Sequence, residues 1–116
     1  MTKTAYIAGP VSGHDINQVR ELFEAKESEL RDAGYGVCNP VREVAYENDF
    51  RESFGFGPEK PLLNDDDTRH LTLRYCIGLL VQCDEIHMLP GWQFSEGAQI
   101  EHRVAELLKI KIVEAP

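Results

Sequence analysis

Apolar positions along this chain recur with two periods, and the switches between them mark out its elements. Residues 3–8 form a short apolar run rich in β-formers, halted by Gly9 and Pro10, which predicts a buried first strand opening into a loop over residues 9–14. Asp15 is placed to cap a helix in which Ile16, Val19, Leu22, Phe23, Lys26, Leu30 and Ala33 recur at helical spacing until Gly34 supplies the stop. Lys26 belongs to that stripe because its aliphatic stem can lie along the core edge while its ammonium stays in water. The opposite face is acidic. Residues 35–39 read as a second strand ended by Pro40, and a strand, helix and strand in so short a stretch imply a right-handed parallel crossover.

From residue 41 to 63 the pattern decays into charges, Gly and Pro, with Tyr46, Phe50, Phe54 and Phe56 irregularly spaced. Apart from one helical turn near residues 41–46, this predicts a long loop, either a surface insertion or a lid whose aromatics stack on a planar ligand. Asn64 or one of Asp65, Asp66 and Asp67 can cap the next helix, over residues 68–82, which is apolar on most sides after Leu71 and is expected to be buried. The acidic triplet lacks the glycine and terminal glutamate of a calcium loop. Residues 85–89 read as a third strand broken by Pro90 and Gly91, Ser95 caps a last helix to Leu108, and residues 110–113 make a fourth strand. Strands alternating with helices predict an α/β fold: a flavodoxin-like or Rossmann-like three-layer sandwich with a four- to five-stranded parallel sheet, its first four strands in the order 2-1-3-4. Ligands of such sheets gather beyond the carboxyl ends of the strands. That rule places residues 9–14, Asn39 with Pro40, and residues 90–95 around one crevice.

A length of 116 residues leaves room for a single domain spanning residues 1–116. With 12 Lys plus Arg against 20 Asp plus Glu, the net charge of −8 opposes attraction to a nucleic-acid backbone or an anionic membrane surface. Residues 1–7 are too quickly interrupted for a signal peptide and no apolar run reaches membrane-spanning length, so a cytoplasmic location is expected. Cys38, Cys76 and Cys83 are odd in number, lack CxxC spacing and lie in apolar stretches, which fits reduced core thiols. His14, His70, His87 and His102 have no metal-ligand spacing, and no metal site is expected.

The most informative residue is Glu101. Ala98, Val104, Ala105 and Leu108 lie at its i−3, i+3, i+4 and i+7 positions, so this carboxylate sits inside the stripe that should face the core. There it must be paired with an Arg or His, hydrogen-bonded, or functional. Its position under two turns from a helix start facing the crevice, below small Gly97 and Ala98, favours function. Ser95, with the free N–H groups of the helix start and Gly97, forms a corner suited to an anion, and the same residues would serve as an ordinary cap. The loop of Gly9, Pro10, Val11, Ser12 and Gly13 after the first strand offers similar backbone donors, from its residues other than proline, without matching a GxGxxG or Walker loop. Trp92 can stack on a base or serve as packing, Asn39 can read a base edge or terminate the second strand, and His87 reads as an inner histidine rather than a catalyst.

The segments Tyr6-Ile7-Ala8-Gly9-Pro10, Cys83 through Trp92 with its Leu89-Pro90-Gly91-Trp92 end, and Ser95-x-Gly97-Ala98-x-x-Glu101, in this order, resemble the nucleoside 2-deoxyribosyltransferase-like superfamily, in particular a small bacterial and phage branch. The resemblance spans nearly the whole chain outside residues 41–63. It implies cleavage or transfer of the N-glycosidic bond of a nucleoside or nucleoside 5′-monophosphate, with Glu101 as nucleophile at C1′, Ser95 holding sugar or phosphate, and Tyr6 and Gly9 lining the pocket. It also implies no cofactor, a small-molecule nucleoside or nucleotide as partner, and a homo-oligomer, for which the helix over residues 68–82 is a candidate contact. One position departs from the pattern: where relatives carry an Asp assisting the departing base, eight residues before the position of Asp84, this chain has Cys76. A thiol is a poor general acid toward a base nitrogen. Either Asp66, Asp67 or Glu96 takes that role, or the domain binds nucleotides with little or no turnover. Cys76 itself, between Leu73, Leu79 and Leu80, reads as core packing.

Overall fold

Alternate residues of the first strand divide between two cores, and this division organises the molecule. A computed structural model describes residues 2–11, 14–45 and 69–114. Strand β1 (Thr4–Ala8) sends Tyr6 and Ala8 to one face of the sheet and Ala5 and Ile7 to the other, all fully buried, as the two-residue period of a strand requires. The remaining strands are β2 (Gly36–Cys38), β3 (Glu85–Met88) and β4 (Lys111–Glu114). All pairings are parallel and the order is β2-β1-β3-β4, as the sequence predicts. The first strand is therefore central, with its carboxyl end at the point where the strand order reverses.

Helix α1 (Ile16–Asp32) packs on one face through Val19, Phe23 and Leu30, which join Ala5, Ile7, Val41 and Leu89 in one core. Asp15 caps it, its carboxylate accepting from Asn17 N at 2.9 Å and Gln18 N at 3.2 Å. The helix stops in a Schellman arrangement: Tyr35 N bonds Leu30 O, Gly34 N bonds Arg31 O, and Gly34 adopts φ +96°. Three positions differ from the expected stripe. Leu22 is 62% exposed and Ala33 is exposed, while Glu27 is buried, because Glu27 has three donors waiting for it.

Helix α2 (Pro40–Ala45) follows β2 directly, so the expected single turn is a short helix. Residues 46–68, which hold the predicted loop or lid with Tyr46, Phe50, Phe54 and Phe56 and the capping residues Asn64 to Asp67, lie outside the described residues. Helix α3 (Arg69–Leu80) and helix α4 (Glu96–Leu108) cover the other face, where Cys76, Leu80, Ala98 and Ala105 pack with Tyr6, Ala8, Ile86 and Met88. The result is a three-layer α/β sandwich. Among the described residues no helix is long and apolar enough to cross a membrane.

Candidate functional site

A cavity of about 90 Å³ opens at the carboxyl end of β1, where the strand order reverses. Its floor is the end of β1 with Gly9 and Val11; α2 contributes Pro40 and Val41, α3 contributes Thr72, Leu73 and Cys76, and the start of α4 contributes Ser95, Gly97, Ala98 and Glu101. The walls are mostly apolar, with polar groups supplied by Tyr6, Thr72, Ser95 and Glu101.

Glu101 is 7% exposed and lines the cavity, and among the described residues no Arg, Lys or His forms an ion pair with it. Its Oε2 accepts a hydrogen bond from the Tyr6 hydroxyl, which is fully buried on the central strand. Burial pushes the Glu101 carboxyl up to about 7, with the hydrogen bond from Tyr6 pulling the other way. Burial also raises the Tyr6 hydroxyl well above its ordinary value, and the neighbouring Glu101 charge adds to the rise. A carboxylate removed from water, held by one neutral donor and facing a cavity is poised both to ionise near neutral pH and to meet an electrophilic carbon.

Ser95 caps α4, its Oγ accepting from Ala98 N at 3.3 Å, and it lines the same cavity with Gly97, beside the positive end of the helix. Gly9 is tightly confined: a Cβ there would lie 2.9 Å from Leu89 Cβ. It serves as floor where a side chain would not fit. Tyr6, Gly9, Ser95, Gly97 and Glu101 are thus brought together as the sequence predicts, while Ser12 and Gly13 lie outside the described residues.

Other candidates are placed elsewhere. Asn39 is buried behind the cavity wall: its Oδ1 accepts from Val41 N (3.1 Å) and Arg42 N (3.4 Å), capping α2, and its Nδ2 donates to Glu27 Oε1 (3.2 Å). Its neighbours Pro40 and Val41 face the cavity instead. Glu27 also receives Arg31 Nε at 2.8 Å and Arg42 Nη1 at 2.7 Å; these hydrogen bonds outweigh the cost of burial and hold its carboxyl below the usual range. Trp92 stacks on His102 with ring centroids 4.3 Å apart and 10° between planes, away from the cavity lining. Pro10 faces Gly91 rather than the cavity. His87 is an inner histidine, its Nε2 2.9 Å from Glu85 Oε1, with Tyr35 edge-on at 5.4 Å. Leu108, expected in the buried stripe of α4, is 55% exposed.

Cys76 packs in the core, as expected; it also lines the cavity and lies within hydrogen-bonding reach of the Tyr6 hydroxyl. Thr72, one turn earlier on α3, was missed as a lining residue; the i, i+4 spacing of Thr72 and Cys76 on one helix stripe was the available signal. Glu96 is exposed on the first turn of α4 outside the cavity lining, and Asp66 and Asp67 lie outside the described residues. Among the described residues no group of three or more His, Cys, Asp or Glu side chains is placed to hold a metal ion.

Residues 3–114 match the family model for a domain of unknown function, DUF4406. No curated protein matches the chain.

Proposed function

The chain belongs to the DUF4406 family, and we propose that in this member the cavity cleaves or transfers the N-glycosidic bond of a nucleoside or nucleoside 5′-monophosphate. The observation that carries the reading is Glu101: a buried carboxylate with no basic partner among the described residues, hydrogen-bonded by Tyr6 and lining a cavity. In its ionised form Glu101 attacks C1′ as the base departs, giving a glycosyl ester through an oxocarbenium-like transition state; water or a second base then releases the sugar with net retention. Tyr6 holds the attacking carboxylate in one orientation, and Ser95 with the α4 start receives sugar hydroxyls or phosphate.

Pockets that enclose a whole drug-sized ligand run to roughly 300–1,000 Å³, so a cavity of about 90 Å³ encloses only part of a nucleoside, and the rest of the ligand lies outside these walls. The acidic chain, net −8, fits a small-molecule partner rather than a nucleic acid or membrane, and we place the protein in the cytoplasm as a homo-oligomer.

A second reading has its own observation. Among the described residues no second carboxylate lines the cavity, and Cys76 stands beside Tyr6 where a general acid is wanted, which favours a module that binds a nucleotide without turnover. A chromatographic screen of nucleosides and their monophosphates for free nucleobase, run beside a thermal-shift panel with the same compounds, separates the two. Released base supports the enzyme. A ligand-dependent rise in Tm with no released base supports the binding module, and neither signal removes both.

A further inference from the structure

Three reactive side chains converge at the cavity from three different elements: Glu101 on α4, Tyr6 on β1 and Cys76 on α3. The Tyr6 hydroxyl donates to Glu101 Oε2, and the Cys76 thiol lies within hydrogen-bonding reach of the same hydroxyl, so the tyrosine oxygen bridges a thiol and a carboxylate. Cys83 is buried to the same degree as Cys76, 8% against 9% exposed, but does not line this cavity. The two thiols therefore differ in access to the cavity rather than in overall exposure.

We propose that Cys76 is a covalent modification site inside this cavity, taking small α,β-unsaturated carbonyl compounds, with Tyr6 and Glu101 as the route by which the thiol proton leaves. The thiol proton passes to the tyrosine oxygen as the tyrosine proton passes to the Glu101 carboxylate. The Cys76 sulfur adds to the β-carbon, the C=C π pair moves to the carbonyl as an enolate, and the proton held on Glu101 returns to the α-carbon. One S–C bond forms, one C=C π bond is lost, and nothing leaves. The cavity selects the class. Its mostly apolar walls suit a short hydrocarbon skeleton. Its volume of about 90 Å³ is below the roughly 150 Å³ of a cavity known to hold benzene, so it encloses whole only molecules of a few heavy atoms. The proposal does not rest on the glycosidic reading, because a nucleotide-binding module would carry the same thiol.

The test is acrylamide labelling of the full chain near neutral pH, followed by digestion and mass analysis of the peptides carrying Cys76 and Cys83. Cys76 is expected to label at least tenfold faster than Cys83. Glu101→Gln is expected to slow Cys76 at least tenfold and leave Cys83 unchanged; Tyr6→Phe, which keeps the carboxylate but removes the bridging oxygen, is expected to do the same. Faster Cys83 labelling in one variant reports loss of its fold, and the other variant then carries the comparison. A maleimide attached to polyethylene glycol is expected to reach Cys76 only on unfolding. Equal rates for Cys76 and Cys83 in the parent protein overturn the proposal, as does an unchanged Cys76 rate in the folded variants.

Discussion

The Tyr6 hydroxyl on the central strand donates to the Glu101 carboxylate on the last helix, joining residues 95 positions apart at a cavity lined by β1, α3 and α4. Among the described residues the carboxylate has no basic partner, and burial makes its ionisation work against the fold.

The first consequence is a stability that depends on pH. Folding raises the Glu101 carboxyl from an ordinary 4.5 to about 7, so across that window the folded state binds more protons than the unfolded one and stability falls as pH rises. The loss approaches a plateau on the order of 3 kcal/mol above pH 7. Glu101→Gln removes it. Urea unfolding at pH 5 and pH 8 should show the variant gaining on the parent at the higher pH. Glu27 and Glu85 are held below the ordinary carboxylate range, so their contributions change below this window. A gap between variant and parent that is independent of pH would contradict the burial of an ionisable Glu101.

Tyr6→Phe should leave the carboxylate at the cavity without its donor. Losing a partner to a buried charged group costs about 1–3 kcal/mol or more, and the carboxyl should shift further up. The acid limb of a pH–rate profile, near pH 7 in the parent, should move to higher pH by a measurable fraction of a unit. A profile that stays in place while the rate falls would assign Tyr6 to packing alone.

Two glycines at the cavity should respond in opposite ways. Gly9→Ala forces a methyl to within 2.9 Å of Leu89 Cβ and should destabilise the protein by about 1–3 kcal/mol. At Gly97 the nearest atom is Leu73 Cδ1 at 4.0 Å, and the residue is helical, so Gly97→Ala should raise stability by up to about 1 kcal/mol while narrowing the cavity and raising KM. Thermal melts and steady-state kinetics on both variants check the contrast.

Asn39→Ala should lower stability by about 1–2 kcal/mol through loss of the α2 cap and of the bond to Glu27. Preference among nucleobases should not change, because the side chain lies behind the wall formed by Pro40 and Val41. An altered preference would restore a base-reading role.

The strand order and the crevice were legible because each depends on local pattern: a period-two run ending in Gly9 and Pro10, capped amphipathic helices, and the reversal of strand order that concentrates loops at one end. Glu101 stood out because a carboxylate inside an apolar helical stripe requires a reason. The partners of that carboxylate could not be read. Tyr6 lies in an apolar strand where its ring explains it fully, and only the packing of α4 on β1 reveals the hydroxyl's acceptor. Glu27 was hidden for the same reason: its burial depends on Arg42 and Asn39, supplied by another element after the chain has crossed the sheet edge. Leu22 was expected inside because helical spacing gives the width of a buried stripe only approximately, and the narrower Val19, Phe23, Leu30 line sufficed to cover the strands. Cys76 reads as core from its helical spacing and is core; that it also lines a cavity is a property of three elements together.

The central claim, that Glu101 is the nucleophile, is tested most directly by incubating the protein with a nucleoside monophosphate carrying fluorine at the sugar 2-position, which slows release of a glycosyl ester, and weighing the peptides after digestion. The account predicts a sugar-phosphate adduct on the peptide containing Glu101, formed as free base is released, and neither adduct nor base in Glu101→Ala. Base release by Glu101→Ala at the parent rate, or an adduct on any other residue, would contradict it.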